Sequence, residues 1–137
     1  MTDCIFCKII KKEIPSTPLY EDADTYAFLD IRPVNPGHAL VVPKKHSRNL
    51  YEIDSLSLNA MMQIVQKLAI AIKKATGADG INIGMNNDSA AGQVIFHTHA
   101  HVIPRFESDG YKHWGHKAYK EGQVEEIAAK IRQTLHS

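Results

Sequence analysis

His97-Thr98-His99-Ala100-His101-Val102-Ile103 sets three imidazoles two residues apart. In an extended chain residues i, i+2 and i+4 point the same way at steps of roughly 6.7 Å, so a strand lines all three rings along one face, whereas a helix would scatter them. Thr98, Ala100 and Val102 then face the opposite side, and the pattern predicts a strand over 94–103 that stops at Pro104. Three imidazoles buried as mere filler would each need a partner or a defined charge state, which is costly in a core. Two chemistries suit the row instead. The rings can ligate one metal and leave a position open for water, or the central ring can attack phosphorus while its neighbours position it and handle protons.

Working outward, 20–22 and Thr25–Leu29 read as short strands joined by a turn at Ala23-Asp24, and Ala39–Pro43 as another after the Pro36-Gly37 turn. Leu58, Met61, Met62, Val65, Leu68, Ala69 and Ile72 fall at helical spacing, which predicts a helix over 57–76 capped by Ser55 or Ser57 and closed by Gly77. Residues 80–85 read as a strand, 86–93 as a loop and Gln123–Leu135 as a terminal helix. Strands separated mainly by turns favour an α+β fold, an antiparallel sheet with one long helix on a face, and 1–137 as a single domain.

Composition narrows the partners. Sixteen Lys plus Arg against fifteen Asp plus Glu leave a net charge of +1, which provides no field for gripping nucleic acid or an anionic membrane. No apolar run approaches the ~18 residues of a membrane span, and the first residues lack a signal peptide's basic and apolar regions. A cytosolic location is the expectation.

Three further features carry chemistry. Asn86-Asn87-Asp88-Ser89-Ala90-Ala91-Gly92-Gln93 is polar, small and glycine-containing, and lies at the rim of the imidazole row, where backbone N–H groups can meet an anion. His38, in Pro36-Gly37-His38-Ala39, stands at the mouth of a strand that can pair with the histidine strand, as an orienting partner would. Cys4 and Cys7 are the only cysteines; a Cys-x-x-Cys pair is either half of a zinc site, whose two further ligands would come from histidine, or two reduced structural thiols.

Taken with Gly37-His38, Asp30-Ile31-Arg32-Pro33, the Gly92-Gln93 loop and the opening Cys4-Ile5-Phe6-Cys7-Lys8-Ile9-Ile10, the triad resembles the histidine triad nucleotide-binding (HIT) family, in its bacterial Hint-like branch. The resemblance covers nearly the whole chain. It implies a five-stranded antiparallel sheet with one long and one C-terminal helix, paired into a homodimer with a continuous sheet. It further implies hydrolysis at the α-phosphorus of purine nucleoside phosphoramidates and related nucleotides resembling AMP or GMP, with no organic cofactor.

Residue by residue, the resemblance makes His99 the nucleophile, His101 a ligand of the phosphate oxygens and His38 the fourth histidine beside the triad. Asp30 matches the carboxylate that binds ribose, Phe6, Ile9 and Ile31 the wall of the base pocket, and Asn86, Gly92 and Gln93 the phosphate side. Cys4, Cys7, His46 and His97 match a structural zinc site. His113, His116 and His136 fall outside any such spacing and are expected at the surface. The implied dimer contact draws on edge strands and on Met61, Met62 and Val65. One departure stands out: where many relatives carry Ser or Thr after Gly-Gln, this chain has Val94. Losing one donor of this type costs about 10²-fold in turnover in other systems. Alternatives to the hydrolase are a nucleotide-binding regulatory partner with vestigial activity, a dinucleoside polyphosphate hydrolase, and a metallohydrolase whose metal sits in the triad.

Overall fold

A computed structural model describes residues 3–137, whose five strands form one antiparallel sheet in the order β1-β2-β3-β5-β4. They are β1 (Pro18–Glu21), β2 (Thr25–Leu29), β3 (Ala39–Pro43), β4 (Gly80–Gly84) and β5 (Ala100–Arg105). Helices α1 (Ile5–Ile10), α2 (Ser55–Thr76) and α3 (Gln123–Leu135) complete the chain, with a 3-10 turn at Ser89–Ala91.

Strict alternation along the central strands gives the sheet two apolar faces. Ala27, Ala39, Val41, Ala100 and Val102 face α2 and pack on its Met61, Ile64, Val65 and Ile72. The small alanines leave room for the helix to lie close. On the other face Tyr26, Phe28, Leu40 and Val42 pack with Phe6 and Ile9 of α1. Each fully buried large side chain contributes roughly 1.5–3 kcal/mol. Among the described residues α2 alone is long and apolar enough to cross a bilayer; here its buried stripe covers the sheet.

Several boundaries differ from the sequence reading. Helix α2 starts at Ser55 because Asp54 is the cap: its Oδ1 accepts the Ser57 N–H at 2.8 Å and its Oδ2 the Ser57 hydroxyl at 3.0 Å. A carboxylate also suits the positive end of the helix dipole better than the anticipated serines. Strand β1 ends at Glu21, one residue early, since Asp22 turns its carboxylate to the N–H groups of Asp24 and Thr25. Strand β4 ends at Gly84. Met61 and Val65 are buried in the chain's own core, so of the three residues expected at a subunit contact only Met62, 40% exposed, is available.

The largest correction concerns the histidine strand, which begins at Ala100 instead of residue 94. The β3–β5 ladder stops at the Val41–Ala100 pair although β3 runs on to Pro43; ahead of Ala100 the chain leaves the ladder, the Thr98 N–H donating to the Ser47 carbonyl at 2.8 Å and His97 Nε2 to the Pro43 carbonyl at 2.8 Å. Pro104 lies inside β5, opposite Ile81. Its carbonyl accepts from Asn35 Nδ2 at 2.9 Å, so its nitrogen faces that same side, away from β4, and the missing N–H costs no ladder bond. Only His101 is therefore in the sheet, yet the alternation survives: Ala100 and Val102 enter the α2 core while the three rings stay on the α1 side.

Candidate active site

Gly37 delivers His38 to the head of β3. Its φ of +101° is open to glycine, and an added Cβ would meet Thr76 Cγ2 at 2.8 Å. His38 is buried, and its Nδ1 accepts the Val34 N–H at 3.0 Å. That bond assigns the proton to Nε2, which lies 2.9 Å from His101 Nδ1 and donates to it. His101 consequently carries its own proton on Nε2. Asp30 Oδ2 stands 3.6 Å from His38 Nε2, while its Oδ1 accepts the Arg32 N–H at 2.9 Å.

His99 is oriented by its own backbone. Its Nδ1 donates to the His97 carbonyl at 2.7 Å, so the lone pair sits on Nε2. The Phe6 ring stands edge-on to it at 5.1 Å, and His101 lies at 5.1 Å between centroids. Burial favours the neutral form of every ring. It lowers the pKa of His101 to about 4, with His99 and His38 adding to the effect, and it lowers His99 and His38 against the opposing pull of the His97 carbonyl and Asp30 respectively. At neutral pH the site therefore presents an uncharged nucleophilic nitrogen beside an N–H donor.

His99 and His101 line a cleft of about 360 Å³. Ile5, Phe6, Ile9, Ile14, Phe28, Ile31 and Leu40 form its apolar walls, Asp30 and Arg32 line it too, and Asn86, Gly92, Val94, Ile95, His99 and His101 complete the lining. An apolar slot for a flat base and a polar end for an anion are combined in one volume. Ile31 projects with 90% of its surface exposed, as a rim residue. Gly92 lines the cleft and Gln93 does not. The Gly92 N–H is already bonded to the Ser89 carbonyl at 3.0 Å, and Gln93 is buried outside the cleft wall. Among the described residues the N–H groups of Val94 and Ile95 and the Asn86 side-chain amide make no hydrogen bond, so these are the donors on offer. Asp88 adopts φ 74°, ψ 157°, a region in which a non-glycine residue is strained by of order 1–3 kcal/mol.

His97, fully buried, completes a second cluster. Its Nε2 donates to the Pro43 carbonyl at 2.8 Å, which leaves Nδ1 without a proton. That atom lies 3.4 Å from Cys4 Sγ, 3.5 Å from Cys7 Sγ and 3.1 Å from His46 Nδ1; Cys7 Sγ to His46 Nδ1 is 3.5 Å. A tetrahedral zinc ion with Zn–S near 2.3 Å and Zn–N near 2.05 Å has ligand–ligand edges of about 3.3–3.8 Å. The cluster fits that group. Burial, reinforced by Cys4, pushes the Cys7 thiol up to about 11, so this thiol would ionise at neutral pH only against a cation. Burial also lowers His97 to about 4. Ser47 Oγ pairs with Thr98 Oγ1 at 2.7 Å and pins the His46 loop beside His97.

The fold and site define a small nucleotide-scale pocket protein with an alternating histidine row. A family model described as "HIT domain" matches residues 11–108, and the chain belongs to the HIT family. An adenylylsulfatase of Arabidopsis thaliana is 50% identical over 107 residues, 78% of this chain and 54% of that protein. An adenosine 5'-monophosphoramidase of Candida albicans is 43% identical over 106 residues, 74% of this chain and 70% of that one. Among solved structures, a Streptococcus mutans protein superposes with TM-score 0.93 at 41% identity, over 98% of this chain and 87% of its own. A zinc-bound histidine triad family protein of Mycobacterium smegmatis gives 0.77 at 32% identity, over 97% and 98%.

Of the nominated residues, all but Gln93 lie in the cleft, the relay or the cysteine cluster. His113, His116 and His136 are exposed. Sequence reasoning missed Ile5, Phe28, Leu40 and Ile95 as cleft walls; the i, i+1, i+4, i+5 spacing of Ile5, Phe6, Ile9 and Ile10 was the available signal for α1.

Proposed function

We propose that the protein is a nucleotide hydrolase acting at the α-phosphorus of purine nucleoside phosphoramidates and related nucleotides. The observation that carries this reading is the 2.7 Å bond from His99 Nδ1 to the His97 carbonyl, which leaves a neutral imidazole's lone pair at the cleft's polar end. His99 Nε2 attacks phosphorus, the N–P bond forms, and the bond to the leaving amine breaks as the amine takes a proton from solvent. Positive charge on the ring is stabilised by the Nδ1–H bond. Water then attacks phosphorus, loses a proton, and releases His99 and the nucleoside monophosphate. His101 Nε2–H donates to a phosphoryl oxygen throughout, held by His38. Asp30 has an oxygen for the ribose hydroxyls. Quenching a single turnover in acid-free denaturant and mapping the adduct tests it: a nucleotidyl group on the His99 peptide is expected, and none there, or one on His101, overturns the assignment.

Val94, 83% exposed at the cleft, favours the regulatory binding protein as second reading, because it removes a hydroxyl from the phosphate side. Cys4, Cys7, His46 and His97 are proposed to hold zinc, which when bound supplies a structural cross-link and keeps both thiols ionised. A homodimer joined at the open edge of β4, where Ile83 is 44% exposed, completes the proposal. Sedimentation showing only a ~15 kDa species at micromolar protein would count against it.

A further inference from the structure

Gln93 is 3% exposed and spends its whole side-chain amide on the protein. Its Oε1 accepts from the Asp88 N–H at 2.9 Å and from Asn49 Nδ2 at 3.2 Å, and its Nε2 donates to the carbonyls of Arg48 at 2.8 Å and Ile95 at 3.1 Å. Four bonds exhaust a glutamine amide, so nothing is left for a ligand. Those bonds tie the start of the polar loop at Asp88 to its end at Ile95, and both to the 48–49 segment. The Leu50 N–H adds a parallel stitch to Asn87 Oδ1 at 2.9 Å.

The loop so held is not one the chain would adopt unaided. Asp88 sits in backbone space that is essentially glycine-only, and Gly92 follows at φ +94°. Such conformations persist only where the surroundings over-determine them. Here the constraint comes from residue 93 on both sides: its side chain accepts the Asp88 N–H, and its own N–H donates to the Asp88 carbonyl at 3.1 Å. The same amide draws the Ile95 carbonyl inward, away from the cleft, so an oxygen that would repel an anion is removed from the polar end. The Val94 and Ile95 N–H groups remain there unbonded. Successive free N–H groups at a fixed turn form an anion-binding concavity.

We infer that Gln93 is a positioning residue which, without touching the ligand, clamps the strained 88–95 loop in the one shape that offers Val94 and Ile95 N–H to the phosphate of a bound nucleotide. This rests on the nucleotide reading above and adds to it the origin of phosphate affinity. Gln93→Met keeps the side-chain volume and removes all four bonds; Gln93→Glu keeps both acceptor bonds and removes both donors. Calorimetric titration with AMP and with adenosine should show AMP affinity at least ~10-fold weaker in each variant and adenosine affinity within about two-fold of the parent. Amide exchange in the unliganded variants should quicken ~10-fold or more at Asp88, Ala91 and Gly92, with β3 and α2 unchanged. A general loss of stability would weaken adenosine equally and quicken the core, and either result overturns the inference, as does an unchanged loop. Should the parent protein bind AMP no better than adenosine, the nucleotide reading fails and phosphate positioning falls with it, whereas a failure of the clamp alone leaves the parent's preference for AMP intact.

Discussion

Two imidazole pairs with nearly the same spacing lie side by side, His46 with His97 at 3.1 Å and His38 with His101 at 2.9 Å between nitrogens, and they have opposite chemistry. The difference is made on the far nitrogen of one ring. His97 meets a carbonyl there, so its proton is held on Nε2 and the facing nitrogen is bare. His38 meets an N–H, so the facing nitrogen carries the proton and passes a hydrogen bond on. The first pair therefore offers a lone pair to a cation beside two thiols, and the second is satisfied without one and orients a donor into the cleft. Backbone polarity, fixed by Pro43 at the end of β3 and Val34 in the preceding turn, decides which facing nitrogen is bare and which carries a proton.

His99 stands between the pairs, and its removal is the severest way to break the contrast. His99→Ala should lower kcat by about 10⁴-fold or more while AMP affinity, read by calorimetry, stays within a few-fold. A near-normal rate would move the nucleophile elsewhere. On the relay side, His101→Ala should lower kcat by roughly 10²–10³-fold. His38→Phe, which leaves His101 Nδ1 without its donor, should follow in the same direction with a smaller loss, measured in the same steady-state assay.

Acid sharpens the comparison further. His101 takes up a second proton only below about 4 when folded, against an ordinary 6.5, so the unfolded chain binds protons first as pH falls. Its contribution to stability is complete above about pH 6.5 and is lost progressively toward pH 4. The kcat should be level from neutrality to about pH 5, halve near pH 4 and fall roughly ten-fold per unit below it as the ring charges. A midpoint near 6.5 would mean that the rings are solvated.

How much of this could be read from the chain depends on where the deciding group lies. The alternation of His97, His99 and His101 was legible because side-chain period 2 survives even where the ladder does not, as the rings on the α1 side and Ala100 and Val102 on the other attest. The long helix was legible because Met61, Val65 and Ile72, which it buries, stand among apolar residues at its period. Strand limits were not, since the start of β5 follows from Thr98 turning to Ser47, a long-range pairing. Gln93 read as a ligand contact because an amide in a polar loop looks available; its four partners, up to 45 residues away, are visible only once folded. Tautomers are equally hidden, being set by one carbonyl and one N–H brought in from other segments.

The smallest expected effect on catalysis, and the one that isolates the first pair, comes from removing the metal. Chelation should lower the melting temperature of protein purified without chelator, by about 2.7 kcal/mol of stability if free zinc had stood at ~100 times its dissociation constant. Cys7→Ser should abolish that difference, because its thiol touches both His46 and His97 at 3.5 Å. Turnover should fall only a few-fold, since no cluster ligand atom reaches the cleft's reacting end. The residual loss has a defined route: Cys4 caps α1 by accepting the Cys7 N–H at 3.3 Å, and the same helix turns Phe6 against His99. Loosening the cysteines loosens that ring, so nucleotide affinity should weaken more than kcat. Titrations in metal-loaded and metal-free protein would decide it, and a loss confined to kcat would mean that the cluster acts on the nucleophile through the His97 carbonyl instead of through α1.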